Sequence, residues 1–249
     1  MTIAIITGSG GLIGAESVRF FSKKFDRIIG IDNDSRKYFF GKLASVKTNI
    51  SLLKKEIKNY NHKHIDIRNN KIEKIFRNYK KNIKFILHCA AQPSHDWAAK
   101  EPLTDFSINA LGTLNILENI RKYCPDAKLA HISTNKVYGD RPNLLPLKEQ
   151  KKRYEISKNH KYFKKGIDES MSIDDSKHSL FGASKLASDI YCQEYWKYFN
   201  LKVGVFRGCC LTGPLHQGAE LHGFLSYLIK AAKERKKYYI FGYKGKQVR

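Results

Sequence analysis

The first residues able to do chemistry lie near the amino end. Gly8-Ser9-Gly10-Gly11-Leu12-Ile13-Gly14 sets glycines at 8, 11 and 14, a GxxGxxG spacing between an apolar run and an amphipathic one. A strand, a glycine turn and a helix in that order can cradle a pyrophosphate. Gly8 permits the tight turn, Gly11 lets the backbone approach the anion, and Gly14 lets helix and strand pack. The helix, opened by Leu12 and Ile13, turns free N–H groups and the positive end of its dipole to the same anion. Asp32 ends the second apolar run, about 20 residues past the loop, where a carboxylate accepts hydrogen bonds from a ribose diol. That carboxylate repels a 2′-phosphate, so the expected dinucleotide is NAD rather than NADP. Asn33 is counted with it. Arg36 either holds a phosphate or stacks on adenine. Asp66 and Ile67 are expected to contact adenine, the alternative for Asp66 being a surface carboxylate at a strand end.

These residues need a scaffold of alternating strands and helices, and the apolar pattern supplies one. Strands are expected at 3–7, 27–32, 64–67, 84–89, 128–133 and 202–207. Helices are expected from the glycine turn to about 24, at 72–79, at 105–124 with Phe106, Leu114, Leu117 and Ile120 on its apolar face, and at 180–199. Repeated βα units predict an α/β fold, a Rossmann-type doubly wound parallel sheet with right-handed crossovers. Residues 141–177 break the rhythm. They are polar, lysine-rich and aperiodic, which predicts a functional loop or lid, or disorder. After Thr212-Gly213-Pro214 the alternation weakens to a helix at 224–233, a short strand at 238–241 and an extended run at 246–248.

The 249 residues suffice for one such domain with a substantial core. No basic-then-apolar leader and no apolar run of about 20 residues is present, so the reading is a cytoplasmic protein without a membrane partner. The five cysteines have no C-x-x-C spacing, so no metal site is expected. They read as reduced and mostly buried. The net charge is +23. The lysine pairs fall at 23–24, 54–55, 80–81, 151–152, 164–165 and 236–237, at expected helix ends and loops. No aromatic-interleaved stripe accompanies them, which argues against nucleic acid as the main partner. A positive field does raise the encounter rate of a pyrophosphate substrate.

Several further motifs join the glycine loop: Asp66-Ile67-Arg68, His88-Cys89-Ala90-Ala91-Gln92, Asn109 with Gly112-Thr113, Ser133-Thr134-Asn135-Lys136-Val137-Tyr138-Gly139, Phe181-x-x-x-Lys185 and Gly245-Lys246-Gln247-Val248-Arg249. Along essentially its whole length the chain resembles the extended short-chain dehydrogenase/reductases, the NAD-dependent nucleotide-sugar epimerases and dehydratases. The stretch at 133–140 and the run at 245–249 are most similar to the CDP-tyvelose (CDP-paratose) 2-epimerase branch.

The resemblance implies that a nucleotide-linked sugar is transiently oxidised to a ketone and re-reduced from the other face, with NAD ending as it began. It implies cofactor contacts from Ala90, Ala91, Gln92, Asn109 and Lys185, and nucleotide contact from Arg249. Thr134 stands at the position of the hydroxyl that orients the sugar oxygen. Lys185 stands at the position of the lysine that lowers a tyrosine pKa. The tyrosine position holds Phe181, which cannot move a proton. Lys136 and His95 are the expected stand-ins, with Tyr138 and Asp96 beside them. Ser94, His95 and Asn135 are expected at the sugar; for the run Ser94-His95-Asp96-Trp97 the alternative is a polar loop with Trp97 packed in the core. Arg207 is either structural or an anion contact. Related dehydratases carry Asp-Glu where this chain has Asn135-Lys136, so dehydration is the less favoured reaction; a catalytically impaired binding protein is the main alternative. The family pattern runs past residue 249. Residues 1–207 therefore read as the NAD-binding domain, and 208–249 as the start of a small substrate-binding region that is cut short. Relatives pair through two long helices, here those at 105–124 and 180–199, which implies a homodimer.

Overall fold

The computed structural model describes residues 1–214, 216, 218–219 and 222–239. In chain order its first half runs β1 (Ile3–Thr7), α1 (Leu12–Phe21), β2 (Arg27–Ile31), α2 (Arg36–Phe40), α3 (Lys47–Glu56), β3 (Tyr60–Lys63), α4 (Lys71–Tyr79) and β4 (Ile83–His88). Then follow α5 (His95–Lys100), α6 (Pro102–Phe106), α7 (Gly112–Tyr123), β5 (Lys128–Thr134), β6 (Leu147–Glu149), β7 (Tyr154–Ile156), α8 (Ser179–Phe199), β8 (Lys202–Gly208) and α9 (Phe224–Lys233).

Every residue of β1 is buried. A strand covered on both faces belongs in the middle of a parallel sheet, and β1 is there. The six-stranded sheet has the order β3-β2-β1-β4-β5-β8, and all its pairings are parallel. The strand order reverses between β1 and β4, so the ligand crevice of a doubly wound sheet lies at their carboxyl ends. One face packs Ile3, Ile5, Ile29 and Ile86 against Ile72 and Phe76 of α4, Ile116 and Ile120 of α7, and Cys192 of α8. The other packs Ala4, Ile6 and Ile28 against Ala15 and Val18 of α1 and Leu53 of α3.

The expected fold is present, with several corrections. The third strand is Tyr60–Lys63, not 64–67, paired with Ile28 to Ile31. As an edge strand it buries only Tyr60, so it lacks the apolar signature. Ile65 and Ile67 lie just beyond it. The helices α2 and α3 carried no clear period and were not anticipated. In the 105–124 segment Leu117 and Ile120 are buried, but Phe106 is exposed. A π-helical turn at Ser107–Leu111 precedes α7. Such a turn takes one residue more than an α-turn, so the apolar face rotates by about 100° across it.

The 141–177 excursion has structure of its own. β6 and β7 form an antiparallel hairpin, and Tyr162 and Met171 pack with Val137 and Tyr138 in a small core of their own. None of these residues lines the large cavity described below. The pattern was aperiodic because isolated anchors, not a repeating face, hold the segment. Tyr238 and Tyr239 are not in a strand. The rest of that expected strand, the run at 246–248 and Arg249 lie outside the described residues.

Candidate active site

The glycine loop is built as its spacing requires. Gly8 has a φ of +67°, open to glycine and strained for other residues. Its N–H donates to the Ile31 carbonyl at 2.8 Å, and its carbonyl accepts from Gly11 N at 3.0 Å. A Cβ on Gly14 would come to 2.0 Å from the Gly8 carbonyl oxygen, so α1 approaches β1 this closely only without a side chain there. Asp32 accepts from Gly10 N at 2.9 Å and from Asp34 N at 2.8 Å. Burial nevertheless pushes its carboxyl above the usual range. Ser9, which sequence reasoning passed over, ties its hydroxyl to that of Tyr60 at 3.0 Å.

A cavity of about 890 Å³ runs from this loop along the carboxyl edge of the sheet, the size of a cofactor or ligand site. Gly8, Gly11, Leu12, Ile13 and Gly14 form its floor. Asp32, Asn33, Arg36, Asp66 and Ile67 surround one end. There Asn33 Nδ2 donates to Asp66 at 2.9 Å, and Arg68 grips both Asp66 oxygens at 2.9 and 2.7 Å. The Arg36 guanidinium lies over the Phe40 ring at 5.1 Å and meets His222 Nδ1 at 3.4 Å. A dinucleotide fits these groups: a glycine cradle with no room for a Cβ at Gly14, the N-terminus of α1 beside it, and the Asp32 carboxylate lining the same cavity.

Ala90, Ala91, His95, Thr134, Asn135, Lys136, Phe181 and Lys185 line the rest of the cavity. Thr134 ends β5, and its hydroxyl oxygen accepts from Lys136 N at 3.2 Å. Lys185 projects from α8 one turn past Phe181, on the same face. Its Nζ donates to the Ile132 carbonyl at 2.8 Å, and burial lowers its pKa to about 8. The Lys136 ammonium is also pushed down by burial. His95 opens α5, its Nδ1 2.8 Å from Ser179 Oγ and its ring edge-on to Phe181 at 4.9 Å.

Gln92, Ser94 and Asn109 are not among the lining residues. They lie one layer behind, each about 1% exposed. Asn109 accepts from Gln92 N at 2.9 Å and donates to the Gln92 carbonyl, Asp105 and Ser184 at 3.0 Å each. Gln92 Nε2 donates to Asp105 at 2.7 Å, and its Oε1 accepts from Ser94 N at 2.6 Å. This network fixes the loop after β4. A second buried chain was missed. Thr7 Oγ1 accepts from Cys89 N and Ala90 N, both at 3.2 Å, and meets His88 Nδ1 at 2.6 Å. His88 Nε2 meets Thr113 Oγ1 at 3.0 Å, which in turn donates to the Asn109 carbonyl at 2.6 Å. Burial holds the His88 pKa at about 3, so the ring is a neutral spacer that sets Ala90 and Ala91 against Gly8.

Two open readings resolve as structural. Arg207 forms a bidentate pair with Asp189, both contacts 3.0 Å, and donates to the Tyr138 hydroxyl at 3.0 Å. That removes it as an anion contact, and Tyr138 is not among the lining residues. Trp97 Nε1 donates to the Phe39 carbonyl at 2.6 Å, tying α5 to α2. Of the cysteines, Cys124 and Cys192 are buried, but Cys209 and Cys210 are exposed at the cavity. Among the described residues no helix is long and apolar enough to cross a membrane.

Sheet order, glycine cradle and Asp32 together define a dinucleotide-binding α/β protein of the Rossmann type. The chain belongs to the NAD dependent epimerase/dehydratase family, which it matches over residues 4–249. It is 32% identical to CDP-paratose 2-epimerase of Salmonella typhi over 252 residues, which cover 98% of this chain and 69% of that one. It is 29% identical to dTDP-glucose 4,6-dehydratase of Salmonella typhimurium over 263 residues, covering 98% and 63%. Among solved structures, UDP-glucose 4-epimerase of Thermus thermophilus in complex with NAD superposes with a TM-score of 0.72 at 22% identity, over 97% of this chain and 66% of that one. dTDP-glucose 4,6-dehydratase from Streptomyces venezuelae with NAD bound gives 0.72 at 20% identity, covering 97% and 65%. The chain thus spans roughly two thirds of the length of these relatives. NAD, expected from the glycine loop and Asp32, is the cofactor of the family.

Proposed function

We propose that this chain carries the catalytic half of an NAD-dependent nucleotide-sugar epimerase of the CDP-paratose 2-epimerase kind. One observation carries the reading: Thr134, Lys136 and Lys185 line the same cavity as the glycine cradle and Asp32. The glycine loop and α1 hold the pyrophosphate, Asp32 the adenosine ribose, and Lys185 the nicotinamide ribose. NAD bound there supplies reversible two-electron oxidation of a sugar carbinol. Thr134 orients the sugar oxygen, while Ala90, Ala91 and the network behind them hold the loop facing it. Asn135 and Lys136 favour epimerisation over dehydration. Eliminating water next to a ketone needs an acid for the leaving hydroxyl and a base for the adjacent carbon proton. An amide can serve as neither.

The test is incubation of the NAD-loaded protein with CDP-, dTDP- and UDP-hexoses in heavy water. An epimerase yields an isomer of unchanged mass with no deuterium on carbon, because the hydrogen removed is the hydrogen returned. A product lighter by one water assigns the chain to dehydration. No turnover of any hexose, together with tight NAD retention, supports the impaired binding protein that Phe181 suggests.

A further inference from the structure

Phe181 puts a phenyl ring where a phenol would take the sugar hydroxyl proton, and the structure shows what stands next to that ring. The His95 imidazole lies edge-on to the Phe181 ring, 4.9 Å between centroids, and lines the cavity. Its Nδ1 is 2.8 Å from Ser179 Oγ, across 84 residues of sequence. Ser179 begins α8 two residues before Phe181, and its φ is +64°. That region is strained for a non-glycine residue, and such strain persists where its surroundings enforce it. Here it brings a hydroxyl onto the imidazole. Ser179 Oγ also accepts the Gly182 N–H at 3.2 Å. A hydroxyl oxygen has two acceptor positions. With one on Gly182, the other can take a proton from His95 Nδ1, or the hydroxyl's own proton can go to Nδ1, the direction following the tautomer of the ring. The first arrangement leaves the ring's lone pair on Nε2, the tautomer a base acting through that nitrogen requires.

We propose that His95 is the catalytic acid–base that takes over the role of the missing tyrosine, and that Ser179 is its positioning residue. The proposal rests on the epimerase reading. As the carbon-bound hydrogen leaves with its electron pair to the oxidised nicotinamide dinucleotide, the hydroxyl proton passes to His95 Nε2 and the carbinol becomes a ketone. On return to the other face of the ketone, His95 gives that proton back to the oxygen, so charge and atoms balance over the cycle. The titratable groups that line the cavity with it are Asp96 on its own helix, Lys136 after β5, Lys185 on α8, Cys209, Cys210, His216, His222 and Tyr238, with Asp32, Arg36, Asp66 and Cys89 completing the lining.

Two measurements test this. In nitrogen–proton NMR of the full chain, the His95 ring is expected as the Nδ1–H tautomer, and S179A should release it to a mixture. In turnover, H95Q should lose about a hundredfold or more in kcat, the ordinary weight of general acid–base catalysis, with little change in KM. It should also lose the acid limb of the kcat–pH profile. S179A should weaken kcat less and displace that limb. F181Y introduced into H95Q should restore part of the rate, because the new phenol lies one turn from Lys185. A protonated Nε2 in the resting ring, or wild-type kcat in H95Q, overturns the proposal. If the wild-type chain turns over no sugar, the epimerase reading falls, and the tautomer still decides whether Ser179 sets the ring for this role.

Discussion

At the scale of single residues, Lys185 shows what the site costs the fold. Its ammonium is buried, and burial lowers its pKa from 10.5 to about 8. Between those values the unfolded chain holds a proton that the folded chain has released, so stability rises with pH across that window. Below about 8 both states hold the proton, and the folded state bears the whole penalty, of order 3 kcal/mol. Lys185→Met should therefore raise the thermal midpoint at pH 7. The gain should shrink as the pH approaches 10.5, while turnover is lost throughout. Calorimetry across that range checks it; a lower midpoint at pH 7 would show that the bond to the Ile132 carbonyl outweighs the buried charge. Residues in contiguous motifs, such as Gly8, Gly14, Asp32 and Thr134, were legible because their spacing alone states their chemistry. Ser179 was not: its partner is 84 residues away. Asn109 at the sheet edge was legible as a residue that orders it, and its bonds to the Gln92 backbone do so; how Gln92 turns its amide to Asp105 and Ser94 was not, because a motif reveals that a polar residue matters, not where its side chain points.

At the scale of elements, the strands buried on both faces were legible and the edge was not. β1 is buried throughout and apolar up to Thr7, whereas β3 is placed by hydrogen bonding to β2, which leaves no apolar trace. The turn at Ser107–Leu111 likewise hides from a fixed helical period, and with it the outward turn of Phe106. The 141–177 excursion holds itself together through Tyr162 and Met171. Tyr162→Ala should cost that unit about 3–5 kcal/mol locally. Limited proteolysis should then cut within 141–177 while the sheet melts at its usual temperature. A matching fall in the midpoint of the whole protein would show that the two cores are one cooperative unit.

At the scale of the whole molecule, α7 and α8 lie side by side, linked by Tyr195 to Glu118 at 2.7 Å. Their surroundings expose Leu103, Phe106 and Leu111 on one strip, and Ile190, Tyr191 and Trp196 on the other. Apolar surface on two neighbouring helices is the surface a self-complementary dimer buries. We expect sedimentation of the wild-type chain at micromolar concentration to show a dimer and Tyr191→Glu a monomer; identical profiles would remove this face as the contact.

The excursion leaves and rejoins the chain at a narrow neck. Ser176 Oγ donates to the Tyr138 carbonyl at 2.9 Å, and Arg141 reaches the Asp174 carbonyl at 2.6 Å. Its two stems are thus already stapled side by side, and no residue from 141 to 177 lines the cavity. Evolution, or an engineer, can exchange this appendage for another of any length by closing the same gap. The enzyme's relatives are then free to differ in outline here without a change in their chemistry.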